Sequence, residues 1–179
     1  MLWPAAGFDA FALTHRKAFA DVQKSFRTRF SHLGRRTEAP MYALQTETAF
    51  DSSHFLTDYY GKCENLHGHR WRVEVTLAQE ELQKEGTMRD MVLDFGVFKK
   101  AVHAEADLLD HTFLVEEGSL KPETIAALEG EGFTLKILPF RTTAENLAHY
   151  LFDRLTDQGF PVESVEVDET PNNRAIYRK

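Results

Sequence analysis

The sequence predicts a two-layer α+β domain, a four-stranded antiparallel sheet with two helices packed on one face in the order ββααββ. Three observations predict it. Residues 70 to 77 alternate strictly, with Trp71, Val73, Val75 and Leu77 apolar and Arg70, Arg72, Glu74 and Thr76 polar, the period of a half-buried strand. The stretches after Asp94 and Thr142 carry apolar residues at helical spacing. Near the C-terminus, two extended segments flank Pro171-Asn172-Asn173, a turn signal between hairpin strands. A sheet with one apolar face needs a helical layer to cover it. At 179 residues and 42 % hydrophobic content, the chain can fill one such core.

Residues 1–40 differ from the rest. They hold seven Lys or Arg against three acids, a net of +4, which leaves −11 for the remainder. His15, Phe19, Val22, Phe26 and Phe30 fall at helical spacing, and Gly34 supplies a stop. This extension is therefore expected to be helical and to stand outside the catalytic core, which is expected to occupy 41–179 as a single domain. Three readings of it stay open: an appended packing helix, an Arg-rich targeting leader, or an upstream start with Met41 as the functional beginning.

A first strand is expected from Tyr42 to Phe50, where Tyr42, Leu44, Thr46, Thr48 and Phe50 share one parity and Gln45 and Glu47 the other. The strand over 70–77 follows. After the apolar run Met91-Val92-Leu93, Asp94 is placed to cap a helix carrying Val97, Phe98, Ala101, Val102, Leu108 and Leu109. Residues 112–141 read as an irregular insertion with a short strand near Phe133 to Leu138. Thr142 with Glu145 reads as a capping box for the second helix, whose apolar side is Leu147, Tyr150, Leu151 and Leu155. Val162, Val165 and Val167 begin the hairpin that Ala175 to Tyr177 closes. Open sheet edges would invite assembly with other copies.

Composition excludes several function classes. A formal net charge of −7 argues against a nucleic-acid partner, which is held by clustered Lys and Arg. No run of eighteen apolar residues is present, so no membrane span is expected. Cys63 is the single cysteine, which forbids an internal disulfide, and no secretory pattern appears; a reducing, cytoplasmic setting fits.

Chemistry gathers around three histidines. His67-Gly68-His69 directly precedes the clean strand with the parity of Trp71, so an early strand start projects both imidazoles from one face. His54, thirteen residues upstream at the end of the first strand, faces the same point if the two strands pair as antiparallel neighbours. Three neutral imidazoles suit zinc with an open coordination position, although a bare His-x-His pair is more often two surface histidines. Cys63 stands four residues before the pair, beside Lys62 and a possible metal, both of which favour a thiolate base; alone, a free cysteine is as often a small buried hydrophobe. Asp110-His111 follows the first helix, where the carboxylate can hold the imidazole in one tautomer, or where both are simply a solvated helix end.

Five segments in order then carry a resemblance: Phe50-Asp-Ser-Ser-His54, Cys63-Glu-Asn-Leu-His-Gly-His69, Val92-Leu-Asp-Phe95, Leu109-Asp-His111 and Val167-Asp-Glu-Thr170. From Met41 onward the chain is similar to the superfamily of 6-pyruvoyl-tetrahydropterin and 6-carboxytetrahydropterin synthases, which has the tunnelling fold. The resemblance implies an oligomeric barrel, a hexamer or tetramer of identical chains, with one zinc per subunit on His54, His67 and His69. It implies that Cys63, Asp110 and His111 transfer protons and that Glu169 anchors the pterin ring. The substrate it implies is 7,8-dihydroneopterin triphosphate. The three-residue gap between Cys63 and His67 resembles the bacterial carboxytetrahydropterin branch of queuosine and deazapurine synthesis, whose reaction releases triphosphate and acetaldehyde. Glu64 stands where a related branch has a glutamate base and forms 6-hydroxymethyl-7,8-dihydropterin for folate, so a dual-function enzyme is an alternative, with the 6-pyruvoyl product third. A noncatalytic zinc- or pterin-binding module is the alternative of another class.

Overall fold

A computed structural model describes residues 41–179, and the expectations for 1–40 lie outside the described residues. The strands are β1 (Tyr42–His54), β2 (His67–Gln79), β3 (Phe113–Glu116), β4 (Leu135–Leu138), β5 (Val162–Thr170) and β6 (Asn173–Arg178). The helices are α1 (Phe95–Asp107), α2 (Pro122–Gly130) and α3 (Ala144–Asp157), and Lys62–Glu64 forms a 3-10 turn.

The sheet has six strands in the order β4-β3-β1-β2-β5-β6, two more than the four expected. The pairs β1/β2, β2/β5 and β5/β6 are antiparallel as expected. The additional strands β3 and β4 run parallel to each other and β3 to β1, with α2 as their crossover, so the insertion is ordered and the sheet is mixed. β4 is the short strand expected near Phe133 to Leu138, whereas β3 is only four residues long and α2 contains no buried residue, so these two leave no readable period in the sequence.

The core lies between one sheet face and helices α1 and α3. Phe50, Trp71, Val73, Val75, Leu77, Val165 and Val167 come from the strands, Phe98, Val102 and Ala106 from α1, and Leu147, Leu151, Phe152 and Leu155 from α3. Glu105 on α1 is buried, and its carboxylate accepts two bonds from Arg154 (2.9 and 3.1 Å) and one from Gln158 (2.6 Å), tying the two helices together.

Local signals hold with one displacement. Asp94 caps α1, its side chain accepting from the Val97 N–H at 3.0 Å. The cap of α3 is Thr143, accepting from the Asn146 N–H at 3.3 Å, and not Thr142. Thr142 is fully buried and bonded elsewhere. β1 runs four residues beyond Phe50 because Asp51 to His54 stay paired with β2, and the polar Ser52 is buried against the sheet. Among the described residues, no helix is long and apolar enough to cross a membrane.

Candidate metal centre

The antiparallel register of β1 and β2 pairs His54 with His67, Ser52 with His69 and Phe50 with Trp71. Residues directly opposite share a face, so all three imidazoles project from the core side of the sheet, in line with Phe50 and Trp71. His54 is fully buried, and His69 keeps 19 % side-chain exposure. The ring centres lie 4.5 Å (His54 to His67), 5.2 Å (His54 to His69) and 5.0 Å (His67 to His69) apart, and Trp71 abuts the rings of His54 and His69 edge-on.

Hydrogen bonds decide which nitrogens face the cluster. His54 Nδ1 is 2.8 Å from the Thr142 carbonyl and His67 Nδ1 is 2.7 Å from the Asn65 carbonyl. A carbonyl only accepts, so both Nδ1 atoms carry the proton and both Nε2 atoms carry a lone pair. The Nε2 atoms of His54, His67 and His69 are all buried and all without a hydrogen-bond partner among the described residues. One ligand atom from each residue lies within 4.8 Å of the others. Orphaned buried nitrogens are costly, and three that converge are the donor set of a three-histidine site with a fourth position open. The residues present therefore fit a zinc ion.

Electrostatics favour the neutral form of His54 and His69. The His54 pKa is lowered from 6.5 to about 4, first by burial and then by the neighbouring imidazoles, against the pull of the Thr142 carbonyl. That of His69 is also lowered, by burial foremost, with the Glu169 carboxylate opposing. Glu169 Oε1 lies 3.7 Å from His54 Nε2 and 3.8 Å from His69 Nε2, the one carboxylate near the cluster among the described residues. It lies two residues beyond Val167, the partner of Val73, at the irregularity where β5 shifts register against β6 between Asp168 and Thr170. His69 and Glu169 also border a cavity of about 830 Å³ flanked by Arg72, His103 and Asp168.

The remaining expected site residues are placed differently. Cys63 and Glu64 sit in the 3-10 turn Lys62–Glu64. Cys63 is half-buried, and its carbonyl accepts from Leu56 N–H at 2.8 Å. Glu64 is exposed and borders an apolar cavity of about 500 Å³ with Phe55, Leu66, Phe113 and Phe133. Neither belongs to the histidine cluster. Asp110 accepts from the Asp51 N–H (2.7 Å) with one oxygen and holds His111 Nδ1 (2.7 Å) with the other. The Asp51 bond and then the His111 bond hold the Asp110 carboxyl below its usual range. His111, with a left-handed φ of 53°, donates its backbone N–H to Asp51 O and leaves its ring 81 % exposed. It borders a cavity of about 560 Å³ that His69 also borders. Asp51 is next to Ser52, the β1 partner of His69, so the Asp110–His111 pair is pinned beside the cavity that His69 borders.

Sequence reasoning missed Thr142 and Asn65 as holders of the histidines, and Trp71 as their backing. The signal for Thr142 was a second threonine before the helix, which admits two assignments of the cap.

The family model for 6-pyruvoyl tetrahydropterin synthase matches residues 43–179. The chain belongs to this family. Among similar proteins, the 6-carboxy-5,6,7,8-tetrahydropterin synthase of Haemophilus influenzae is 34 % identical over 142 residues, covering 78 % of this chain and 100 % of the relative. That of Synechocystis is 31 % identical over 139 residues, covering 76 % and 93 %. Among solved structures, an uncharacterized protein from Wolinella succinogenes has a TM-score of 0.62 at 23 % identity, covering 78 % of this chain and 99 % of its own. The 6-pyruvoyl tetrahydropterin synthase of Caenorhabditis elegans has a TM-score of 0.57 at 23 % identity, covering 80 % and 99 %. These likenesses show the family's tunnelling fold in this chain.

Proposed function

We propose that this chain is a zinc-dependent lyase that converts 7,8-dihydroneopterin triphosphate to 6-carboxy-5,6,7,8-tetrahydropterin, releasing triphosphate and acetaldehyde, as a step of deazapurine synthesis in the cytoplasm. The observation that carries the reading is the set of three buried, partnerless Nε2 atoms of His54, His67 and His69 inside a chain of this family. The product is chosen from relatives bearing that name and from the three-residue gap between Cys63 and His67.

His54, His67 and His69 would hold the zinc, which when bound would supply Lewis-acid polarisation of side-chain hydroxyls and acidify neighbouring O–H and C–H protons. The chain's own groups do the rest. Trp71 and the core-side location keep water from one flank of the centre. Glu169 presents a carboxylate acceptor to the ring N–H groups of a pterin. Cys63 takes the proton from the substrate side chain. Asp110 fixes the His111 ring through Nδ1, which leaves His111 Nε2 to exchange a proton with the substrate.

The Asp110–His111 pair is anchored at Asp51, and its imidazole is exposed. The exposed imidazole and the open sheet edges support a homo-oligomer with its active sites near the boundaries between copies. Glu64, exposed beside Cys63 in the same turn, favours a second reading in which the enzyme also forms 6-hydroxymethyl-7,8-dihydropterin. The deciding experiment is incubation of zinc-loaded protein with dihydroneopterin triphosphate and identification of products by mass spectrometry. The 6-carboxy product is expected; unaltered substrate would refute the lyase reading and leave a noncatalytic pterin- or zinc-binding module.

A further inference from the structure

We propose that the joint between β4 and α3, residues 141–146, locks His54 in its metal-binding tautomer, with Thr142 as the central positioning residue and Arg141 as its brace. The inference deepens the metal reading and rests on it for its consequence, not for its geometry.

Thr142 is a fully buried polar residue at the end of β1, 88 positions from His54 in sequence. Its carbonyl takes the His54 Nδ1–H at 2.8 Å and so directs the ring's lone pair to Nε2, toward His67 and His69. The carbonyl is itself held. The Thr142 hydroxyl donates to the carbonyl of Phe55, the residue directly after His54, at 3.3 Å. The Arg141 guanidinium donates to the carbonyl of Thr57, and Asn146 Nδ2 donates to the carbonyl of Arg141 at 2.9 Å. The chain after His54 is therefore gripped at Phe55 and Thr57 by consecutive residues of the joint. The Thr142 carbonyl cannot shift from the imidazole without breaking these bonds too.

The lock is specific to His54. The equivalent acceptor for His67 is Asn65, only two residues away, so that ligand is oriented by its own loop. Thr143 next door performs a separate task, capping α3, which supplies a control.

The test uses the full chain. In the metal-free protein at pH 7.5, two-bond proton–nitrogen spectra of the imidazoles are expected to show His54 protonated on Nδ1. Thr142→Val keeps the branched shape and removes the hydroxyl. Arg141→Met removes the brace. Each is expected to lower the fraction of His54 carrying its proton on Nδ1 and to weaken zinc binding about tenfold or more in competition with a chromogenic chelator. Thr143→Ala is expected to lower the melting temperature while moving neither readout. A wild-type His54 protonated on Nε2, or unchanged tautomer and zinc affinity in both Thr142→Val and Arg141→Met, would overturn the proposal. Should Thr142→Val fail to fold, Arg141→Met alone decides it. A wild-type protein that shows the Nδ1 tautomer yet binds no zinc confirms the lock and sinks the metal reading instead.

Discussion

Protonation of His54 gives the most quantitative test of the centre. In the folded, metal-free protein this imidazole resists protonation until about pH 4, against 6.5 in the unfolded chain, because burial disfavours its charged form. Between those values the unfolded chain binds a proton that the folded chain refuses, so stability falls as pH drops from 6.5 toward 4 and is untouched by this group above 6.5. At about 1.4 kcal/mol per pH unit, the loss across that window is about 3 kcal/mol. His69, lowered for the same first reason, steepens the slope in the same direction. The assay is urea unfolding of chelator-treated protein at steps from pH 7.5 to 4, compared with His54→Gln, whose amide can still donate to the Thr142 carbonyl but does not titrate. The stability difference between wild type and variant should shrink by about 3 kcal/mol across the window. Parallel curves for the two proteins would refute the reasoning. Saturating zinc competes with the proton for the same lone pair and should push the acid limb to lower pH.

His54→Ala, His67→Ala and His69→Ala should each lower zinc content measured by atomic absorption after dialysis, since two protein donors hold the ion poorly; full occupancy in all three would remove the site. Cys63→Ala should abolish the 6-carboxy product while sparing some 6-hydroxymethyl product, and Glu64→Ala should do the reverse, as read by product ratios. If Glu64→Ala changes no rate, the single carboxytetrahydropterin activity stands. Removal of residues 1–40 should leave turnover largely intact, because every segment of the family match begins at residue 43 or later; lost activity in the soluble truncated protein would contradict this.

Long, periodic elements were legible from the amino-acid sequence because each residue there reports its own environment. β2 alternates through Leu77 with every apolar member buried, and α3 shows its core stripe directly; α1 buries Phe98 and Val102 as expected, but Val97 and Leu108 are exposed. Of the β3-α2-β4 crossover only β4 was legible, as the short strand expected near Phe133 to Leu138; the four-residue β3 and a helix that buries nothing carry no pattern above noise. The end of β1 carries little pattern of its own, since Asp51, Ser52 and Ser53 are all polar; its extension to His54 rests on the antiparallel pairing with β2. In the site, the parity of His67, His69 and Trp71 was readable locally. The bond from Thr142 to His54, and the anchoring of Asp110 on Asp51, join residues 88 and 59 positions apart and exist only in three dimensions.

The shared parity of ligands and core has a consequence for folding fidelity. His67 and His69 sit on the face that Trp71, Val73, Val75 and Leu77 bury, so the donor set is the last rung of the same ladder that builds the apolar interior. A slip of β2 by one residue would turn the imidazoles and the whole apolar row to the opposite side together. A misregistered molecule thus forfeits its interior and its affinity for a cation in a single event. Retention of the ion through dilution and dialysis would then serve as a molecule-by-molecule report that the two central strands have aligned correctly.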